Sequence, residues 1–131
     1  MVKQIEASCR KLRNRGNKGF TLMEMLIVVA IIAVLIAIAI PVFSTQLEKS
    51  REATDMANVR SAYGTITAQF IEDGSAHAIE VAAEQNQDEW QTQPQPYLEL
   101  MSEDGASQYT FSAKTDSFNV SIDTSGNLTV N

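Results

Sequence analysis

Glu24 is the only acid within residues 20–43, and its surroundings are what invite chemistry. An isolated carboxylate in an apolar run is costly unless water or a cation meets it, so it marks an interface or a contact. Other reactive types are scattered. His77 is the sole histidine and has no cysteine near it, which leaves no ligand set for a metal. Cys9 is the sole cysteine, so no internal disulfide can form. Asp123, Ser125 and Asn127 loosely have the composition of a calcium loop. Gly126 stands at the fourth position, however, and no terminal bidentate acid follows, so the segment reads as a glycine turn. No nucleophile–base pair, phosphate-cradling loop or metal cluster occurs. Catalytic, cofactor and metal residues are therefore none, and the chain is not read as an enzyme.

The element that positions Glu24 is the run from Phe20 to Phe43, interrupted only by Thr21, Glu24 and Pro41. As a helix its 24 residues would extend roughly 36 Å, against a bilayer core of about 30 Å. It is apolar on every face from Met25 to Ile40, and a chain of 131 residues has little interior to enclose it. Charge is unevenly spread. Residues 1–19 carry six Lys/Arg against Glu6, net +5; residues 20–131 carry four Lys/Arg against fifteen Asp/Glu, net −11. A basic tip, an apolar segment and an acidic body describe a single-pass membrane protein with a cytoplasmic N-terminus. The acidic body argues against direct nucleic-acid binding by one subunit. Nor is this an ordinary secretory signal, because nothing before Gly19 is apolar enough, and Cys9 lies upstream of the run, unlike a lipoprotein cysteine.

The stretch GFTLMEMLIVVAIIAVLIAIAIP, residues 19–41, closely resembles the N-terminus of type IV prepilins and the related pseudopilins of type II secretion. Gly19 would precede the cut and Phe20 follow it; Glu24 would then be the fifth residue and Pro41 the twenty-second. The resemblance implies that a prepilin peptidase removes residues 1–19 as a leader and methylates the new amino terminus of Phe20. Subunits would then stack with their apolar helices in the filament core. It also supplies a partner for the acid. The α-amino group of Phe20 lies four residues before Glu24, on the same helical face, and the amine of an adjacent subunit could pair with it in a dry core. An amine of the same chain could serve instead. Pro41 cannot donate an amide hydrogen to the carbonyl of Ala37, which predicts a kink or local break. Ala30, Ala33 and Ala37 are spaced for close helix approach.

Beyond Phe43 the helical signal continues but becomes one-sided. Met56, Val59, Tyr63, Ile66 and Phe70 follow steps of three and four, and Asp73-Gly74 offers a stop. Glu48–Glu52 and Arg51–Asp55 are expected on the outer face, the second pair as an i, i+4 interaction. Residues 75–107 read as a connecting loop, with a short helix using Ile79, Val81 and Ala82, prolines at 94 and 96, and Trp90, Tyr97, Leu98 and Leu100 stapling it down. Period two then predicts three antiparallel strands in 108–131, with inward residues Tyr109–Phe111–Ala113, Phe118–Val120–Ile122 and Leu128–Val130. The expected fold is α+β: a long N-terminal helix whose second half packs on a small three-stranded antiparallel sheet. The expected parts are the leader 1–19, the membrane and filament-core helix 20–43, and a helix-plus-headgroup 44–131.

The function implied by the resemblance is that of a structural subunit of a type IV pilus-like filament. A pseudopilin of a type II secretion or competence machine is the alternative, and an uncleaved membrane-anchored binding module a second. The implied partners are further copies of the chain, the peptidase/methyltransferase, an assembly ATPase, a membrane platform protein and minor pilins. The implied location is a bacterial membrane, with an extracytoplasmic headgroup, and then a surface filament. The lack of cysteine after Gly19 departs from many disulfide-looped pilins and points to a host without that habit, such as some Gram-positive bacteria.

Overall fold

The computed structural model describes the backbone of residues 2–102 and 104–131 and the side chains of residues 21–101 and 104–131. The chain divides into two compact units, Met1–Phe43 and Ser44–Asn131. Helix α1 (Val2–Asp73) supplies all of the first unit's regular structure and the opening of the second. It remains helical through Pro41, with no break in assignment. Its end is chemical. Gly74 takes a φ of +68°, and its N–H donates to the carbonyl of Phe70 at 2.7 Å, so the last turn closes on a residue without a Cβ penalty.

In the second unit five strands follow: β1 (His77–Ala82), β2 (Leu98–Ser102), β3 (Gly105–Tyr109), β4 (Ser117–Ile122) and β5 (Leu128–Val130). They form an antiparallel three-stranded sheet in the order β1-β4-β5 and a separate β2-β3 hairpin. The α+β architecture of a long apolar helix followed by a small antiparallel sheet is thus as expected. Its membership differs. Residues 77–82 form a strand, not a short helix. Ile79 and Val81 alternate with exposed Ala78, Glu80 and Ala82, and β-branched side chains at period two fit a half-covered strand. They pair with Val120 and Phe118 of β4. The strand expected around Tyr109–Ala113 ends at Tyr109. Phe111 and Ala113 are buried nonetheless, in irregular chain. The carbonyl of Phe111 accepts from Trp90 Nε1 at 2.9 Å and Gln95 Nε2 at 2.8 Å, so this backbone serves the loop rather than a sheet.

The core forms where the helix stripe meets the sheet. Met56, Val59, Ala62 and Ile66 of α1 bury against Leu98, Phe111, Phe118, Val120, Ile122 and Val130, with Tyr63 and Phe70 packed at its edge. The stripe predicted from steps of three and four is therefore the buried face. Phe118 is its centre: Phe111 meets it edge-on at 5.7 Å, and Trp90 stacks over it at 6.5 Å. The outward N–H of Val130 is met by the hydroxyl of Tyr109 at 3.1 Å. Replacing Phe118 with Ala should destabilise this unit by about 3–5 kcal/mol. The fluorescence of Trp90, the only tryptophan, should report a lower urea midpoint for the detergent-solubilised full chain.

Candidate functional site

Two clusters of polar chemistry stand out, one in each unit. In the first, the described residues 21–43 are exposed without exception, and the large side chains from Leu22 to Phe43 lie open along this stretch of helix. The described helix from Thr21 contains a window long and apolar enough to cross a membrane, none of it covered by the rest of the chain. Glu24 sits on this surface, exposed, and among the described residues no cation pairs with it. Gly19 and Phe20 lie outside the residues whose side chains are described. Pro41 lies within the helix, seventeen residues after Glu24. So Glu24 and Pro41 share one continuous stretch of exposed apolar helix, a surface suited to lipid or to other helices.

In the second unit three acids are turned inward, contrary to the expected outer face. Glu48, Glu52 and Asp55 are 5%, 1% and 0% exposed. Each accepts two backbone N–H groups from the segment after β1. Asp55 takes Glu84 at 2.7 Å and Gln85 at 3.0 Å. Glu48 Oε1 takes Asn86 and Gln87, the latter at 3.1 Å. Glu52 takes Gln91 through Oε1 and Thr92 through Oε2, the latter at 2.9 Å. Six loop amides thus close on three carboxylates of one helix face. Charge-assisted bonds of this kind are about twice as strong as neutral ones. Arg51 does not reach Asp55; it pairs with Glu48 Oε2 at 3.3 Å, one turn back. Gln85, also buried, donates through Nε2 to the carbonyl of Lys114 at 2.8 Å, tying the loop to the approach to β4.

The spacing of these acids was a signal. Positions 48, 52 and 55 continue, in steps of four and three, the same stripe as Val59, Ala62 and Ile66. A stripe that passes from apolar to acidic without leaving its face predicts buried acids looking for donors. Polar loop residues 84–92, rich in Gln and Glu, supply those donors from the backbone, which composition does not display.

Two smaller sites shape the turns. At the end of α1, Asp73 accepts from the Ser75 N–H at 2.9 Å and lies 2.9 and 3.1 Å from His77 Nε2. Ser75 Oγ approaches the same ring nitrogen at 3.3 Å. Serine and aspartate therefore compete for one nitrogen, and the trio cannot relay a proton across the imidazole as a catalytic triad does. The Ser75 N–H, then the His77 contact, holds the Asp73 carboxyl down at about 2. At the other turn Asp123 accepts from the N–H groups of Asn127 and Ser125, at 2.9 and 2.8 Å, and Gly126 takes a φ of +84°. The Asn127 N–H lowers the Asp123 carboxyl, as the Ser117 N–H lowers that of Asp116. Asp123 thus spends its oxygens on its own turn, in keeping with a glycine turn.

Asp55→Ala should leave two loop donors without their acceptor and cost about 1–3 kcal/mol for each that stays buried. The check is a lowered thermal midpoint together with faster amide exchange at Glu84 and Gln85. Asp73 has a folded pKa below its ordinary value of 3.8. Its contribution to stability is therefore complete above that value and lost as pH falls through about 2. An NMR titration of the Asp73 carboxyl should show that low midpoint, and Ser75→Pro, which deletes the N–H donor, should raise it.

Comparison with known proteins places the N-terminal segment. Residues 14–40 match the family described as the prokaryotic N-terminal methylation motif. The chain is 46% identical over 50 residues to the type IV major pilin protein PilA of Myxococcus xanthus, covering 38% of this chain and 23% of that protein. It is also 46% identical over 55 residues to the type IV narrow pilus major component PilA5 of Thermus thermophilus, covering 40% of this chain and 47% of that one. The matches thus span less than half the length of either curated relative. No solved structure matches. The motif, the relatives and the fold of one long apolar helix followed by a small antiparallel sheet agree in a likeness to type IV pilins, carried in sequence by the N-terminal segment.

Proposed function

We infer that the chain is a structural subunit of a type IV pilus-like filament, cut after Gly19, methylated at Phe20 and assembled from the membrane by packing of its apolar helices. The carrying observation is the fully exposed apolar helix with one acid near its start, within the matched methylation motif. A surface of this kind needs lipid before assembly and other helices after it. Both relatives named above are major pilus components, which favours a pilus over a secretion or competence pseudopilus. The chain carries no chemistry of its own in this reading; peptidase, assembly ATPase and platform protein act on it.

Glu24 then has a specific part. In the membrane it lies at the edge, within reach of water. In the filament core it pairs with the cationic amine of Phe20 on a neighbouring subunit, which sets the axial stagger. Breaking a buried pair by removing one partner typically costs about 3–5 kcal/mol per site. Glu24→Val should therefore leave insertion and cutting intact, with the mature chain beginning at methylated Phe20 by mass spectrometry. Sheared filaments should be lost while the membrane pool persists. A normal filament yield from this variant would refute the pairing; a native filament subunit still carrying Met1 would refute the whole assignment.

A further inference from the structure

The second unit separates its charges. Between residues 44 and 71 the acids are Glu48, Glu52 and Asp55, and all three are consumed by the loop amides. What this stretch of α1 shows to solvent is therefore basic: Lys49 and Arg51, half-exposed, and Arg60, exposed. Lys49 and Arg60 are eleven residues apart, so they lie in line along the helix, roughly 16 Å from one another. Neither is in an ion pair among the described residues; Arg60 reaches only the carbonyl of Tyr97, at 3.4 Å. From residue 72 onward the pattern reverses. The described residues there include ten exposed acids, among them Glu80, Glu84, Asp88 and Glu89, and one half-buried base, Lys114.

We propose that the Lys49–Arg60 face of α1 docks against the acidic strand-and-loop surface, Glu80 to Glu89, of a second copy of this chain. The occupant follows from charge. Two copies meeting face to face through their basic helices, or through their acidic sheets, would oppose like charges; a head-to-tail contact joins unlike ones. Such a heterologous contact does not close on itself and propagates along a fibre. The helix also permits close approach, because Ala53, Ala57 and Gly64 are exposed on its outward side and no side chain stands beside Gly64. Burial of the three acids has a second effect in this arrangement: it keeps the helix's own carboxylates between 44 and 71 off its solvent-facing side.

This docking rests on the filament reading, and native filaments test the two separately. After trimming at Gly19 the only lysines are Lys49 and Lys114. A carbodiimide, which joins an ammonium to a touching carboxylate, should yield a cross-linked dimer in which Lys49 is bonded to an acid of the 80–89 segment. Lys49→Arg, which keeps the charge but removes the reactive amine, should abolish that product and preserve the filaments. Lys49→Glu with Arg60→Glu should lower filament yield by at least roughly tenfold while the unfolding midpoint of the solubilised chain stays unchanged. Filaments in wild-type amount from that double variant overturn the docking and leave the filament reading standing. So does a dimer band whose Lys49 is joined elsewhere or not at all. If the double variant fails to fold, the wild-type cross-link decides alone. Wild-type cells that make no filament containing this chain overturn both.

Discussion

Everything in the second unit depends on how three negative charges are kept out of water. Among the described residues Glu48, Glu52 and Asp55 have no equal number of cations to meet; only Glu48 is in an ion pair there. They meet peptide N–H groups instead, two apiece. The loop after β1 would otherwise have to satisfy these donors in solvent, and the helix would have to satisfy its acids there. Joining the two sets solves both needs at once and places the loop on the helix. From that contact the rest follows: Trp90 is brought over Phe118, and the chain around Phe111 is drawn in to receive it.

This arrangement also explains how the unit does without a cross-link. Disulfide-bounded loops hold by covalent constraint on the unfolded chain. Here the only cysteine is Cys9, outside the unit, and the loop from 84 to 92 is held by distributed hydrogen bonds and one aromatic cluster. The first unit shows the opposite economy. Its described residues, 21–43, are all exposed, and the apolar side chains from Leu22 to Phe43 remain open to whatever surrounds the helix. One helix thus carries a stretch suited to lipid or other helices and a stretch suited to a private core, and the change falls where acids first appear on the inner stripe.

Sequence made the helical half legible because its signals are local. A run without charges, a period of three and four, and Asp73-Gly74 as a stop depend on neighbours along the chain. The apolar stripe and the strands around Phe118–Val120–Ile122 and Leu128–Val130 were visible for the same reason. The third strand of the sheet was not. His77–Ala82 pairs with residues about forty positions away, and a six-residue segment containing two alanines looks helical until its partner is known. The inward acids were hidden by their type: with Asp55 at i, i+4 from Arg51, and Glu48 and Glu52 at i, i+4 from each other, they resemble a solvated charged face. Only the continuation of the stripe through 48, 52 and 55 spoke otherwise. At the motif itself the residues Gly19, Phe20, Glu24 and Pro41 stand out as a pattern, while the pairing proposed for Glu24 would involve a second molecule and is not written in one chain.

The phenol of Tyr109 bears on a hazard that any densely packed membrane pool must face. Strand β5 is the last in its sheet, and an open row of amides there would invite a neighbouring molecule to add a strand of its own. The hydroxyl answers the outward amide of Val130 from within the same chain. One outward amide of that edge is thereby taken within the chain and is not on offer to a neighbour's strand.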